Sequence, residues 1–267
     1  VGTIAITGAG SGIGAATAAR LTADGHKVLG IDVRGTEIIA DLATREGRVA
    51  AIDAVHDASS GVIDGLVTCA GLAGLPTRPA SLVASVNYFG TVELLTGLQP
   101  LLARSGHPAA VALSSNSTTV QPGYSMELVD LLLAGDEERA RDVFGDGGSL
   151  ETYPITKTAL ARWVRRNAVT ADWAGVGIRL NAIAPGMVET PLVDEGRRDP
   201  LIGPHMDSFP IPIGRTAQPA EIATFIAFLL SRDAGFFCGS VLFIDGGTDA
   251  LLRPDDWPSV WQPKAGA

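Results

Sequence analysis

The chain has 267 residues, 46% of them hydrophobic and 18% charged, which is enough to bury the core of one large α/β domain. Its net charge of −9 argues against nucleic acid or an anionic membrane as a partner, because a like-charged surface repels both. Cys69 and Cys238 fall outside any CxxC pattern and the four histidines are scattered, which argues against a disulfide framework or a metal site and points to a reducing, cytoplasmic setting.

Short aliphatic runs at residues 3–7, 27–31, 37–40, 66–70, 109–114, 177–183 and 240–244 read as seven buried strands. Between them, residues 14–23, 82–102, 156–173 and 220–230 carry apolar side chains at helical spacing around more than one face. This alternation predicts a doubly wound, Rossmann-type, mostly parallel sheet with helices on both faces, in a single domain spanning the chain. Two departures stand out. A helical insertion at about 124–150 contains MELVDLLLAG and DEERARDVFG and predicts two short helices. The Pro- and Gly-rich connection at about 187–215 predicts a substrate loop with one helical turn at most.

The segment TGAGSGIG follows the first strand and opens a helix, the context a pyrophosphate-binding turn needs. Gly8 permits the tight turn, Gly12 lets the backbone approach an anion and Gly14 lets the helix lie close to the sheet. Ser11 can add a hydroxyl, Ile13 lies among the helix-start N–H groups that face the phosphates, and Thr7 can tie the turn to a neighbouring strand. Asp32 ends the second strand, where a carboxylate accepts from the ribose hydroxyls and repels a 2′-phosphate, so NAD(H) is favoured over NADP(H). Arg34 is the complication, since a guanidinium turned inward could pair with that phosphate. Asp41 and Leu42 are placed to meet the adenine.

Tyr153 and Lys157 stand one helical turn apart on the same face. A neighbouring ammonium stabilises a phenolate and lowers the phenol pKa, which equips Tyr153 to give or take a proton. Together TGAGSGIG, the CAG of 69–71, VNYFG, LSSNS, YPITK and RLNAIAPGMVETP resemble the short-chain dehydrogenase/reductase family over nearly the whole chain. The resemblance implies that Ser115 hydrogen-bonds the substrate oxygen, with Ser114 and Ser117 as neighbouring alternatives. It implies that Asn87 holds a water linking Lys157 to solvent, and that Ala70 and Gly71 allow close cofactor approach where the family usually has Asn-Asn-Ala-Gly. Pro185, Gly186, Val188 and Thr190 match the turn that holds the nicotinamide carboxamide. Within the family the chain is similar to the bacterial 3α-hydroxysteroid dehydrogenase/carbonyl reductases, in IDVRGTEIIADL, the insertion, DWAGVGIRLN and GSVLFIDGGTDALLRP. The implied reaction is metal-free hydride transfer between NAD(H) and a secondary alcohol or ketone. Pro154 departs from the usual small residue after the tyrosine, in a first turn that tolerates proline.

A steroid or other bulky ketone needs an apolar cleft, expected from Met187, Val188, Leu192, Met206, Phe209 and the Leu-rich insertion. The competing enzyme reading is an acyl-thioester ketoreductase that docks acidic carrier proteins on Arg162, Arg165 and Arg166. The competing non-enzymatic reading is an NAD(H)-sensing protein, against which the joint presence of Asn87, Ser115, Tyr153 and Lys157 argues. The resemblance also implies a homo-oligomer. The insertion is expected to hinder a tetramer and favour a dimer through the C-terminal region, and the tail from Arg253, with Trp257 and Trp261, to pack on a neighbour or close the cleft.

Overall fold

The aliphatic runs form the strands of one parallel sheet in the computed structural model, which describes residues 2–256. In chain order the first half holds β1 (Thr3–Thr7), α1 (Gly12–Ala23), β2 (Lys27–Asp32), β3 (Ile38–Ile39), α2 (Arg45–Ala58), β4 (Gly65–Thr68), α3 (Ala80–Ala84), α4 (Thr91–Leu102) and β5 (Ala109–Leu113). The second half holds α5 (Ser117–Val120), α6 (Met126–Leu133), α7 (Glu137–Phe144), α8 (Thr152–Asn167), β6 (Arg179–Pro185), α9 (Pro191–Arg198), α10 (Gly203–Asp207), α11 (Pro219–Leu230), β7 (Val241–Ile244) and α12 (Thr248–Leu252). The roles assigned to Trp257 and Trp261 fall outside the described residues.

The strand order is β3-β2-β1-β4-β5-β6-β7. It reverses between β1 and β4, and a crevice opens at the carboxyl ends of the strands at such a switch point. Alternate residues of each strand face opposite layers. Ala5, Leu66, Ala110 and Leu180 join the core built with α2, α4 and α8, while Ile4, Val67, Val111 and Ile183 join the one built with α1 and α11. Leu94 and Leu98 of α4 are fully buried, and each such side chain contributes roughly 1.5–3 kcal/mol of transfer free energy.

The two helices expected in the insertion are α6 and α7, capped by the side chains of Ser125 and Asp136. Val129 and Leu132 are fully buried against the body of the domain. Leu132 is therefore a core residue, and Leu128, Leu131 and Leu133 pack half-buried against the same core.

Two expectations need correction. Residues 82–102 are not one continuous helix: Ser85–Gly90 widen into a π-helical turn between α3 and α4. There Asn87 Oδ1 accepts from the Leu72 N–H at 2.7 Å and its Nδ2 donates to the Leu72 carbonyl at 3.0 Å, so the side chain grips the loop after β4. The 187–215 connection holds two helices instead of at most one turn. Thr190 caps α9 through the Val193 N–H, and Pro191 occupies the first turn, where its missing N–H costs nothing. Glu189 accepts from both terminal nitrogens of Arg197 and from Thr216, which staples the ends of this segment together. Those bonds hold its carboxyl at about 2.

Candidate active site

Residues at the carboxyl ends of six strands, β1 to β6, and of the loops after them enclose a cleft of about 480 Å³, the size of a small-molecule site. Its floor is the turn after β1. Gly8 and Gly12 take positive φ values of 69° and 54°. A β-carbon on Gly14 would lie 2.1 Å from the Gly8 carbonyl oxygen, so only glycine lets α1 start this close to the turn. Ser11 precedes α1 without a side-chain cap bond, and the first-turn N–H groups stand at the cleft. Thr7 Oγ1 accepts from the Ala70 N–H at 3.1 Å, which ties the turn to β4 as its position predicts.

Gly8, Ser11, Gly12, Ile13 and Gly14 line one end of the cleft, with Asp32, Asp41 and Leu42 beside them. Asp32 accepts from the Gly10 N–H at 3.0 Å and the Val33 N–H at 2.7 Å, which fixes its carboxylate while leaving lone pairs for a ligand. Arg34 is exposed. Ala70, Gly71, Ser115, Tyr153, Lys157, Pro185, Gly186, Val188 and Thr190 also line the cleft. The residues fit a dinucleotide: bare helix-start amides, a cradle that a β-carbon would fill and a pinned carboxylate.

Tyr153 enters on the first turn of α8. Its N–H donates to the Ser149 carbonyl at 3.2 Å, and Gly74 passes so close that a β-carbon there would lie 2.8 Å from that of Tyr153. Ser115 shares the cleft with Tyr153 and is the side chain that favours the ionised form of its hydroxyl. Ser115 Oγ accepts from the Ser117 N–H at 3.1 Å, whereas Ser114 Oγ turns to the Lys157 carbonyl at 2.9 Å. That difference selects Ser115 over Ser114 as the neighbour of the phenol. Lys157 Nζ lies 5.6 Å from the centre of the Tyr153 ring and donates to the Leu113 carbonyl at 2.9 Å.

Asn87 is fully buried behind the lining. A β-carbon on Gly71 would come within 3.4 Å of Asn87 Oδ1 and 3.6 Å of Lys157 Nζ, so the three meet on one side of the cleft.

The expected lowering of the Tyr153 phenol is not the net direction found. Burial raises it, with the Ser115 hydrogen bond opposing. Burial also brings Lys157 down to about 8 and pushes the Cys69 thiol up to about 12. Because the Lys157 pKa falls from 10.5 on folding, the unfolded chain binds more protons between about pH 8 and 10.5, and the cost of burying this charge disappears as pH rises through that window. The melting temperature of Lys157→Met relative to wild type is therefore expected to fall as pH rises from 7 to 10. A constant difference in thermal melts would contradict this.

Of the apolar residues expected to form the substrate side, Val188 and Leu192 line the cleft. Met187, Met206, Phe209 and the insertion's leucines do not. The Met206 sulfur packs where a β-carbon on Gly196 would be, joining α10 to α9. Sequence reasoning missed Leu72, Leu82 and Val86, which extend the apolar wall. Leu82 and Val86 share the i, i+4 spacing that precedes Asn87, and this was the available signal.

Residues 2–126 match the model of the short chain dehydrogenase family, and residues 143–249 match that described as enoyl-(acyl carrier protein) reductase. A 3-alpha-hydroxysteroid dehydrogenase/carbonyl reductase of Comamonas testosteroni is 45% identical over 94% of this chain and 98% of its own. This chain belongs to the short-chain dehydrogenase/reductase family. The crystal structure of the 3-alpha-hydroxysteroid dehydrogenase from Pseudomonas sp. B-0831, complexed with NADH, superposes with a TM-score of 0.90 at 47% identity, over 96% of this chain and 100% of that one. The short-chain reductase protein NovJ of Streptomyces niveus is 30% identical over 91% of this chain and 92% of its own. Among the described residues of this short-chain dehydrogenase/reductase, no helix is long and apolar enough to cross a membrane.

Proposed function

We propose that the protein is an NAD(H)-dependent oxidoreductase that interconverts a 3α-hydroxysteroid, or another bulky secondary alcohol, with the corresponding ketone. The observation that carries this reading is the meeting of Ser115, Tyr153 and Lys157 in the cleft that also holds the glycine turn and Asp32. The two similar proteins named for 3α-hydroxysteroids support the substrate class.

When bound, the nicotinamide supplies or takes up the hydride. The protein's part is positioning and proton transfer. Ser115 donates to the substrate oxygen and polarises it. Tyr153 gives its proton to the forming alkoxide in reduction and takes the hydroxyl proton in oxidation. Lys157 supplies positive charge against the phenolate, and Asn87 holds the buried side of the proton path in place. Ala70 and Gly71 leave room for the cofactor, while Pro185, Gly186, Val188 and Thr190 form the wall for its nicotinamide end. Thr190 also caps α9, donating to the Val188 carbonyl at 3.2 Å, which couples this wall to the helix above it.

Asp32 is the residue that favours NAD(H). Wild type is expected to use NAD⁺ at least tenfold better than NADP⁺ in kcat/KM, and Asp32→Ala to shrink that ratio by roughly tenfold by removing the repulsion of a 2′-phosphate. Steady-state kinetics with both cofactors decide it, and an unchanged ratio contradicts the assignment. Of the arginines that favour a carrier-protein ketoreductase, Arg162 faces Asp130 of α6 at 3.9 Å, which weakens that cluster as an acidic-partner surface.

The protein is proposed to be cytoplasmic, in keeping with its two free cysteines, and to form a homodimer through its C-terminal region. Phe236, Leu251 and Leu252 are exposed there. Phe236→Asp with Leu252→Asp is expected to sediment as a monomer; a retained dimer contradicts this surface.

A further inference from the structure

Arg48 of α2 is 1% exposed although it lies outside the cleft. A buried guanidinium is tolerated only where its donors and charge are met. Glu93 of α4 lies 2.8 Å from Nε. Glu137, the first residue of α7, takes both terminal nitrogens. The same Nη1 also reaches the Leu42 carbonyl at 3.3 Å.

Leu42 belongs to the cleft wall beside Asp41. The wall is pressed from two further sides. A β-carbon on Gly90 of the π-helical turn would lie 3.0 Å from the Leu42 carbonyl oxygen, and one on Gly47 of α2 would lie 2.0 Å from that of Asp41. Asp41 Oδ1 is itself engaged by the Ala43 N–H at 2.9 Å. The turn is a stiff piece whose outer side-chain anchor is Arg48. A forked, charge-assisted pair fixes that anchor's direction as well as its charge.

We propose that Arg48 is a positioning residue for the adenosine end of the cleft, and that the insertion tunes cofactor affinity through the pairing of Glu137 with Arg48. The proposal rests on the NAD(H) reading. It gives the insertion a role within the protomer, in addition to any effect on assembly. An ion pair needed only to hold α7 against the body would not have to reach the Leu42 carbonyl.

The test is calorimetric binding of ADP-ribose to the intact chain, in wild type, Glu137→Gln, Arg48→Met and Arg141→Met. Arg141 lies on the same helix but donates to Ser85 Oγ at 2.6 Å, on the other side of the π-helical turn. In Glu137→Gln, Glu93 still balances the Arg48 charge, which protects the fold if Arg48→Met fails to fold. The Kd for ADP-ribose is expected to rise roughly three- to tenfold in Glu137→Gln. The KM for NAD⁺ should rise by the same factor, a larger change than in kcat, while Arg141→Met keeps its ADP-ribose Kd within about twofold of wild type. Unchanged binding in Glu137→Gln, or an equal loss in Arg141→Met, overturns the assignment. Failure of wild type to bind ADP-ribose or NADH at all overturns the NAD(H) reading, and this proposal with it.

Discussion

Tyr153→Phe is expected to lower kcat by about a thousandfold, within the 10²- to 10⁴-fold span of positioned acid–base groups, while the Kd for NADH stays within about threefold of wild type. The substitution removes one oxygen and leaves the β-carbon against Gly74 and the ring beside Lys157. Ser115 keeps the Ser117 N–H, so the cleft does not collapse around the loss. What goes is the acid–base group assigned to the substrate oxygen, while Ser115 is left to polarise it. Burial holds this phenol above its ordinary value, so it carries its proton near neutral pH, and the Lys157 charge, mostly present below about 8, favours the phenolate that forms when the proton leaves. Single-turnover reduction with prebound NADH separates the chemical step from binding. A loss of less than tenfold, or an equal loss in NADH affinity, would move the proton transfer to another group.

Gly14→Ala is expected to abolish measurable NADH binding, weakening it by at least about a hundredfold, and to lower the melting temperature. The added carbon would lie 2.1 Å from the Gly8 carbonyl oxygen and 2.6 Å from its carbon, both backbone atoms with no rotamer to change. Relief requires α1 to lift from the turn, and α1 packs along α11 over one of the two cores. Overpacking of this kind costs about 1–3 kcal/mol, or roughly 3–10 °C for a domain of this size. The helix-start amides move with the helix, so the anion site is lost with the packing. Calorimetric binding together with a thermal melt checks both effects. Near-normal NADH affinity in a stable variant would show that the turn does not set the cofactor position.

The parts of the site legible in the sequence are those whose geometry is local. Gly8, Gly12 and Gly14 sit on one turn, and Tyr153 and Lys157 on one helical face, so spacing alone fixes their relation. Asp32 follows from the length of β2 and Thr7 from its end-of-strand position. What was not legible depends on contacts distant in sequence. Asn87 was legible through the family resemblance alone; its grip on the Leu72 backbone, and the π-helical turn that interrupts the 82–102 periodicity, were not. The apolar residues of the connection could not be sorted into cleft and core, because tertiary packing alone turns Met206 onto Gly196 and Leu192 into the cleft. The helix at 191–198 was legible and overlooked. Thr190 followed by Pro191 is a cap and a first-turn proline, hidden by the Pro and Gly content of the surrounding segment. Arg48 carried no signal, since its partners Glu93 and Glu137 are set by tertiary packing.

Incubation of the protein with NAD⁺ and a 3α-hydroxysteroid, followed by nicotinamide absorbance beside the 3β- and 17β-isomers, simple secondary alcohols, NADP⁺ and Tyr153→Phe, tests substrate, cofactor and proton transfer together. The 3α-alcohol is expected to be oxidised with NAD⁺, more weakly with NADP⁺, and not by the variant. Tight NADH binding with no turnover of any alcohol, or turnover that survives Tyr153→Phe, would contradict this expectation.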